Sequence, residues 1–371
     1  MTDPEELRAR AASIFQQLRI EERPESPGTG PTQSPELVEA GESDELQGTE
    51  PTAGAAANGG AADLFTDPRS PEGRIADALL GVGGPAVATD PPTAPGPGSR
   101  TSPRAPHPGT SHPLPRIIAI ANQKGGVGKT TTAVNLGAAL AELHYRVLVV
   151  DLDPQGNATT GLGINARSLE SSIYDVILHD VPPEDVIEPT TLRNLFVMPA
   201  TIDLAGAEIE LVPVFSRELR LRRALDSIRE DYDFILIDCP PSLGLLTING
   251  LAAAGEVAVP IQCEYYALEG LSQLLRNVGM VQANLNGPLE LSTIILTMYD
   301  ARTRLAEQVV HEVREHFGAR VCRNVVPRTV RLSEAPSFGQ PIIVFDSSSR
   351  GSIAYRELAK EVSGGTSQRV G

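Results

Sequence analysis

The run RIIAIA at residues 116–121 leads directly into NQKGGVGKTT at 122–131 and then into TAVNLGAALAELHY, where apolar residues recur at helical spacing. A β-branched run, a glycine-rich turn and a helix in immediate succession leave few folds open. A strand this uniformly apolar must be buried on both faces, and its helix must cross back over the sheet. The residues from 116 onward are therefore expected to form an α/β domain, a mostly parallel twisted sheet with helices on both faces. Gly125, Gly126 and Gly128 let backbone N–H groups converge at the helix start, where the dipole is positive. That is a cradle for phosphate oxygens.

The lysines sharpen this reading. Lys and Arg together number 31, but only Lys124, Lys129 and Lys360 are lysine, and two of those three lie in this loop. Arginine serves wherever a positive charge suffices, whereas a compact ammonium on a flexible stem fits between phosphate oxygens as a point charge. Lys129 is expected to reach the β and γ phosphates of a nucleotide, and the Thr130 hydroxyl to ligate Mg²⁺. Val127 and Thr131 complete the stretch that wraps the phosphates. One departure stands out: the ordinary phosphate loop has glycine six positions before its lysine, and Gln123 is there instead.

Further strands are expected at 146–153, 195–200, 233–240, 256–262, 292–300 and 320–327. Helical patterns lie between or after them at 130–145, 217–230, 266–285, 303–317 and 351–363. The second strand ends in DLDPQGN (151–157), at the carboxyl edge where open parallel sheets bind ligands. Asp151 and Asp153 are expected to have separate roles, with capping of a following helix as the alternative for either. FILIDCPPS (234–242) is another apolar strand ending in an acid, Asp238.

KGGVGKTT at 124–131 resembles the deviant Walker A motif of the ParA/MinD ATPases. The resemblance implies a P-loop ATPase that uses ATP and Mg²⁺, with Lys124 reaching across a nucleotide-sandwich homodimer to the partner's phosphates. It implies that Asp153 orients the attacking water and that Thr130, Asp151 and Asp238 form the metal region, Asp238 in the place of Walker B. QCEYYALEG (262–270), TMYDART (297–303) and VVPRTVRLSEAPSFG (325–339) resemble the chromosomal, Soj-type branch of ParA. From that branch follow sequence-independent binding of double-stranded DNA through Arg302 and Arg331, and Pro327 with Arg328 beside the adenine. The implied function is chromosome or plasmid partitioning. An ATP-bound dimer coats the nucleoid, and a ParB centromere-binding partner triggers an intrinsically weak hydrolysis and release.

Charge is compatible with DNA only locally. The chain carries a net −16, and the first 115 residues hold 8 Arg against 17 Asp and Glu. Residues 302–331 reverse the balance with seven Arg and three Glu, and phosphate binding follows local patches rather than the bulk value. Residues 1–115 are rich in Pro, Gly and Ala and are expected to be a disordered extension. Near 5–20 a short amphipathic helix is expected, with Leu7, Ala11, Ile14, Phe15 and Leu18 on one face. This segment is either a docking peptide for a polar scaffold protein or an inert tail. The ATPase domain is expected over 116–362, and 363–371 as a flexible tail.

Neither a signal peptide nor a membrane-inserting run is evident, and Cys239, Cys263 and Cys322 lack metal-binding spacing. A cytoplasmic, nucleoid-associated protein is expected. Other classes weighed are a MinD-like membrane-cycling ATPase, a positioner of some non-DNA cargo, a small-molecule ligase and an iron-protein reductase. The first wants a basic amphipathic C-terminal helix, which SGGTSQRVG lacks, and the last wants cluster cysteines.

Overall fold

The computed structural model describes residues 113–264 and 267–364, and for 267–270 the backbone alone. The proposed disordered extension, its helix near 5–20 and nearly all of the 363–371 tail lie outside the described residues.

Seven strands form one sheet in the order β3-β4-β2-β5-β1-β6-β7. They are β1 (Arg116–Ile120), β2 (Val147–Asp151), β3 (Glu188–Pro189), β4 (Leu195–Met198), β5 (Phe234–Asp238), β6 (Glu256–Gln262) and β7 (Glu290–Thr297). All pairings are parallel except β3 with β4. The order 2-5-1-6 places β1 inside the sheet between β5 and β6, with the glycine loop leaving its carboxyl end. Register brings Asp151 opposite Asp238 at the ends of β2 and β5.

Helices cover both faces because successive strand residues point to opposite sides. Ile118, Ile120, Val147 and Val149 pack in one core with α1 (Lys129–Glu142), α2 (Asn157–Gly161), α9 (Val330–Glu334), α10 (Ile342–Phe345) and α11 (Arg350–Ser363). Ala119, Leu148, Val150 and Ile237 pack in the other with α3 (Ile173–His179), α4 (Leu204–Glu210), α5 (Arg220–Ile228), α6 (Leu245–Ala253), α7 (Ala267–Asn284) and α8 (Arg304–Phe317). Helix α1 can lie close to the sheet because a Cβ at Gly137 would stand 2.9 Å from Val149 Cγ2. No helix among the described residues is long and apolar enough to cross a membrane.

One expected strand is absent. Residues 320–327 run beside β7 without a continuous ladder: Val321 bridges Ile294, the Cys322 and Val326 amides donate to the Ile294 and Leu296 carbonyls, and Pro327 bridges Tyr299 just past the strand. The amides of Arg323 and Asn324 donate instead to the Glu361 carboxylate, at 2.8 and 2.9 Å, which diverts the segment from the ladder.

Candidate functional site

The phosphate loop is braced from three sides. Asn122 Nδ2 donates to the Pro260 carbonyl at 2.7 Å, and the Lys124 amide donates to Asn122 Oδ1 at 3.0 Å. Thr297 Oγ1, from the last residue of β7, donates to the Val127 carbonyl at 2.8 Å. Gly126 (φ 73°) and Gly128 (φ 90°) occupy the left-handed region that side chains disfavour. An added Cβ at Gly125 or Gly126 would meet nothing within 4 Å, so the mouth of the loop is open. Gly128 caps α1 without any side-chain hydrogen bond, and Lys129, Thr130 and Thr131 form its first turn. The amides of that turn are left for a ligand.

Lys129 is buried, with Nζ 3.3 Å from the Lys124 carbonyl oxygen. Burial lowers its pKa, and the charges of Asp238, Cys239 and Asp153 act against that shift. An anion in the loop would restore the ammonium's lost solvation. Lys124, five positions earlier and half-exposed, makes no ion pair among the described residues.

The carboxylates divide by what holds them. Asp238 is fully buried, and neither of its oxygens has a hydrogen-bond partner among the described residues. Burial, then the neighbouring Asp151, pushes its pKa well up. The Thr130 hydroxyl is near enough to oppose that rise but lies outside hydrogen-bond geometry. Orphaned buried oxygens are rare and costly, and a divalent cation beside Thr130 and Asp238 would satisfy them. The residues present therefore fit Mg²⁺.

Asp151, also fully buried, is engaged differently. Its Oδ2 accepts from the Thr159 amide (2.7 Å) and hydroxyl (2.6 Å), and its Oδ1 from the Asp153 amide (3.3 Å). Burial nevertheless raises it to about 6. Unlike Asp238, Asp151 therefore has protein donors on both oxygens. It supports the region by fixing the start of α2 and by adding charge beside Asp238.

Asp153 differs from Asp151 because it lies past β2, which ends at Asp151. Its Oδ1 accepts the Gln155 amide at 3.0 Å in a tight turn. It does not cap α2, whose cap is Gly156. All three cysteines are buried and free, and burial pushes the Cys239 thiol up, so Cys239 is a core residue. No cluster of His, Cys, Asp and Glu with metal-binding spacing occurs among the described residues.

Beyond β7 the chain turns into a cluster of arginines. Arg302 is 89% exposed and is gripped by Asp300, through Nε at 2.9 Å and Nη2 at 2.7 Å, while its amide donates to the same carboxylate at 3.1 Å. These bonds hold the Asp300 carboxyl down at about 2. Tyr299 pairs through its backbone with both Val326 and Arg328, which brings Pro327 and Arg328 to the same turn. Arg328 reaches Glu264 at 3.7 Å. Arg331 belongs to α9 instead, where Glu334 (3.2 Å), Asp346 (3.5 Å) and the Phe345 ring hold it.

Thr159, Thr297 and Asp300 were not singled out from sequence. Thr297 and Asp300 lie within TMYDART, but their partners are fixed only by tertiary structure.

Comparison with known proteins fits this arrangement. A model described as an AAA domain matches residues 115–291. The sporulation initiation inhibitor protein Soj of Bacillus subtilis is 61% identical over 247 residues, 67% of this chain and 98% of that protein. The chromosome partitioning protein ParA of Myxococcus xanthus is 56% identical, covering 67% and 87%. Among solved structures, a cobyrinic acid a,c-diamide synthase from Mycobacterium smegmatis with bound ADP and magnesium superposes with a TM-score of 0.59. It is 43% identical and covers 67% of this chain and 94% of that one.

Proposed function

Because the chain belongs to the Soj/ParA family of chromosome-partitioning ATPases, we propose that ATP switches it into a homodimer that holds double-stranded DNA without reading sequence, and that hydrolysis releases it. The observation that carries the ATP part is Asp238, a buried carboxylate with two unpartnered oxygens behind an open glycine loop.

The loop amides and Lys129 bind the phosphates, and Thr130 with Asp238 holds Mg²⁺. Bound Mg²⁺ supplies charge neutralisation on the phosphate oxygens. Asp153, just past the end of β2, orients the water. Lys124, whose ammonium makes no ion pair among the described residues, reaches the nucleotide of the second protomer. Pro327 and Arg328 lie beside the base. Arg302 and Arg331 contact DNA phosphates, and the exposure of Arg302 supports that role.

Because these groups supply positioning and charge neutralisation, turnover is slow until a ParB-type partner and DNA complete the site. The protein is then a nucleoid-bound cytoplasmic timer rather than a metabolic enzyme. Steady-state ATP hydrolysis tests this: a low basal rate should rise several-fold only when ParB and DNA are both present. A fast basal rate indifferent to both would contradict it.

A further inference from the structure

We infer that Thr297 is a positioning residue that transmits the state of the phosphate loop to the Arg302 turn; the inference rests on the DNA-binding reading for its consequence but not for its geometry. Thr297 is 2% exposed and holds the loop from below through the Val127 carbonyl. A Cβ on Gly128 would sit 3.8 Å from Thr297 Cγ2, so the two segments are in contact at the start of α1. The Thr297 carbonyl is itself held by the Cys263 amide at 3.1 Å, beyond the end of β6.

The next residue, Met298, has φ 52°, a left-handed conformation uncommon for a side chain of this kind. Such strain persists only where the surroundings enforce it. Tyr299 is then latched on both sides, its amide to the Val326 carbonyl and its carbonyl to the Arg328 amide, each at 3.0 Å. Asp300 follows, gripping Arg302 by three hydrogen bonds. Five residues therefore join a phosphate-loop carbonyl to an exposed arginine, and hydrogen bonds hold the backbone before and after Met298. A small shift of Val127 as phosphates fill the loop has little slack in which to dissipate.

The test is amide hydrogen exchange across 298–304 in the full chain, with Mg²⁺ and ADP or a non-hydrolysable ATP analogue. Wild type should show different protection with the two nucleotides. Thr297→Val, which keeps shape but loses the donor, should lose most of that difference when both proteins are compared at saturating nucleotide. Thr297→Ser should restore it. Should Thr297→Val fold poorly, Met298→Gly provides the same test, since it loosens the turn without touching the loop bond. No nucleotide-dependent difference in wild type, or an undiminished one in the folded variants, would overturn the inference.

DNA binding separates the two claims. If wild type prefers DNA with ATP, Thr297→Val should reduce the ATP-to-ADP affinity ratio about fivefold or more. If wild type ignores DNA yet the exchange difference depends on Thr297, the coupling stands and the DNA reading fails.

Discussion

Asp151 and Asp238 sit side by side and both are fully buried, which makes their protonation part of the protein's stability. Asp151 titrates at about 6 in the folded protein against 3.8 as an isolated group. As pH rises through that window the unfolded chain releases its proton first, so stability from this group is present below pH 3.8 and lost above about 6. The melting temperature of nucleotide-free wild type relative to Asp151→Asn should therefore fall between those values. A flat difference would contradict the assignment. Lys129→Ala should weaken ATP binding by about tenfold or more, since a charged hydrogen-bonding group is lost. Lys124→Ala should leave ATP affinity within about threefold but abolish the ATP-dependent dimer, which sedimentation of the two variants would separate.

Packing at the level of elements decides how much of this was legible beforehand. The central strands could be read directly, since Ile118, Val149 and Leu236 are all within the core and their runs are unbroken. The loop and Asp238 followed from strand ends meeting glycine or acid. Helix α2 did not, because five residues capped by Gly156 and tied to Asp151 from outside carry no periodic signal. Residues 320–327 read as a strand on hydrophobicity, but Glu361, distant in sequence, claims two of their amides. That Asp238 is unpaired, and Asp151 fully paired, is likewise invisible until the chain is folded. Close packing behind the site gives a further check. A Cβ at Gly250 in α6 would lie 2.9 Å from Cys239 Sγ and 3.3 Å from Leu152 Cδ2. Gly250→Val should cost about 1–3 kcal/mol in denaturant unfolding and lower ATP affinity through the displaced Asp238 strand.

At the scale of the whole molecule the chain is acidic, at −16, yet is proposed to bind a polyanion. The exposed arginines past β7 and on α9 reconcile the two, with each guanidinium held in place by carboxylates that DNA phosphates must outcompete. Binding of that kind is weak, independent of sequence and sensitive to salt. Arg302→Ala and Arg331→Ala should each reduce the slope of log affinity against log salt by about one. The most direct test of the account is binding of the full chain to random-sequence duplex DNA at moderate salt, with ATP, ADP or no nucleotide. The account predicts binding with ATP alone, lost in Lys124→Ala and weakened in both arginine variants. Equal binding in every nucleotide state, or none in any, would contradict it.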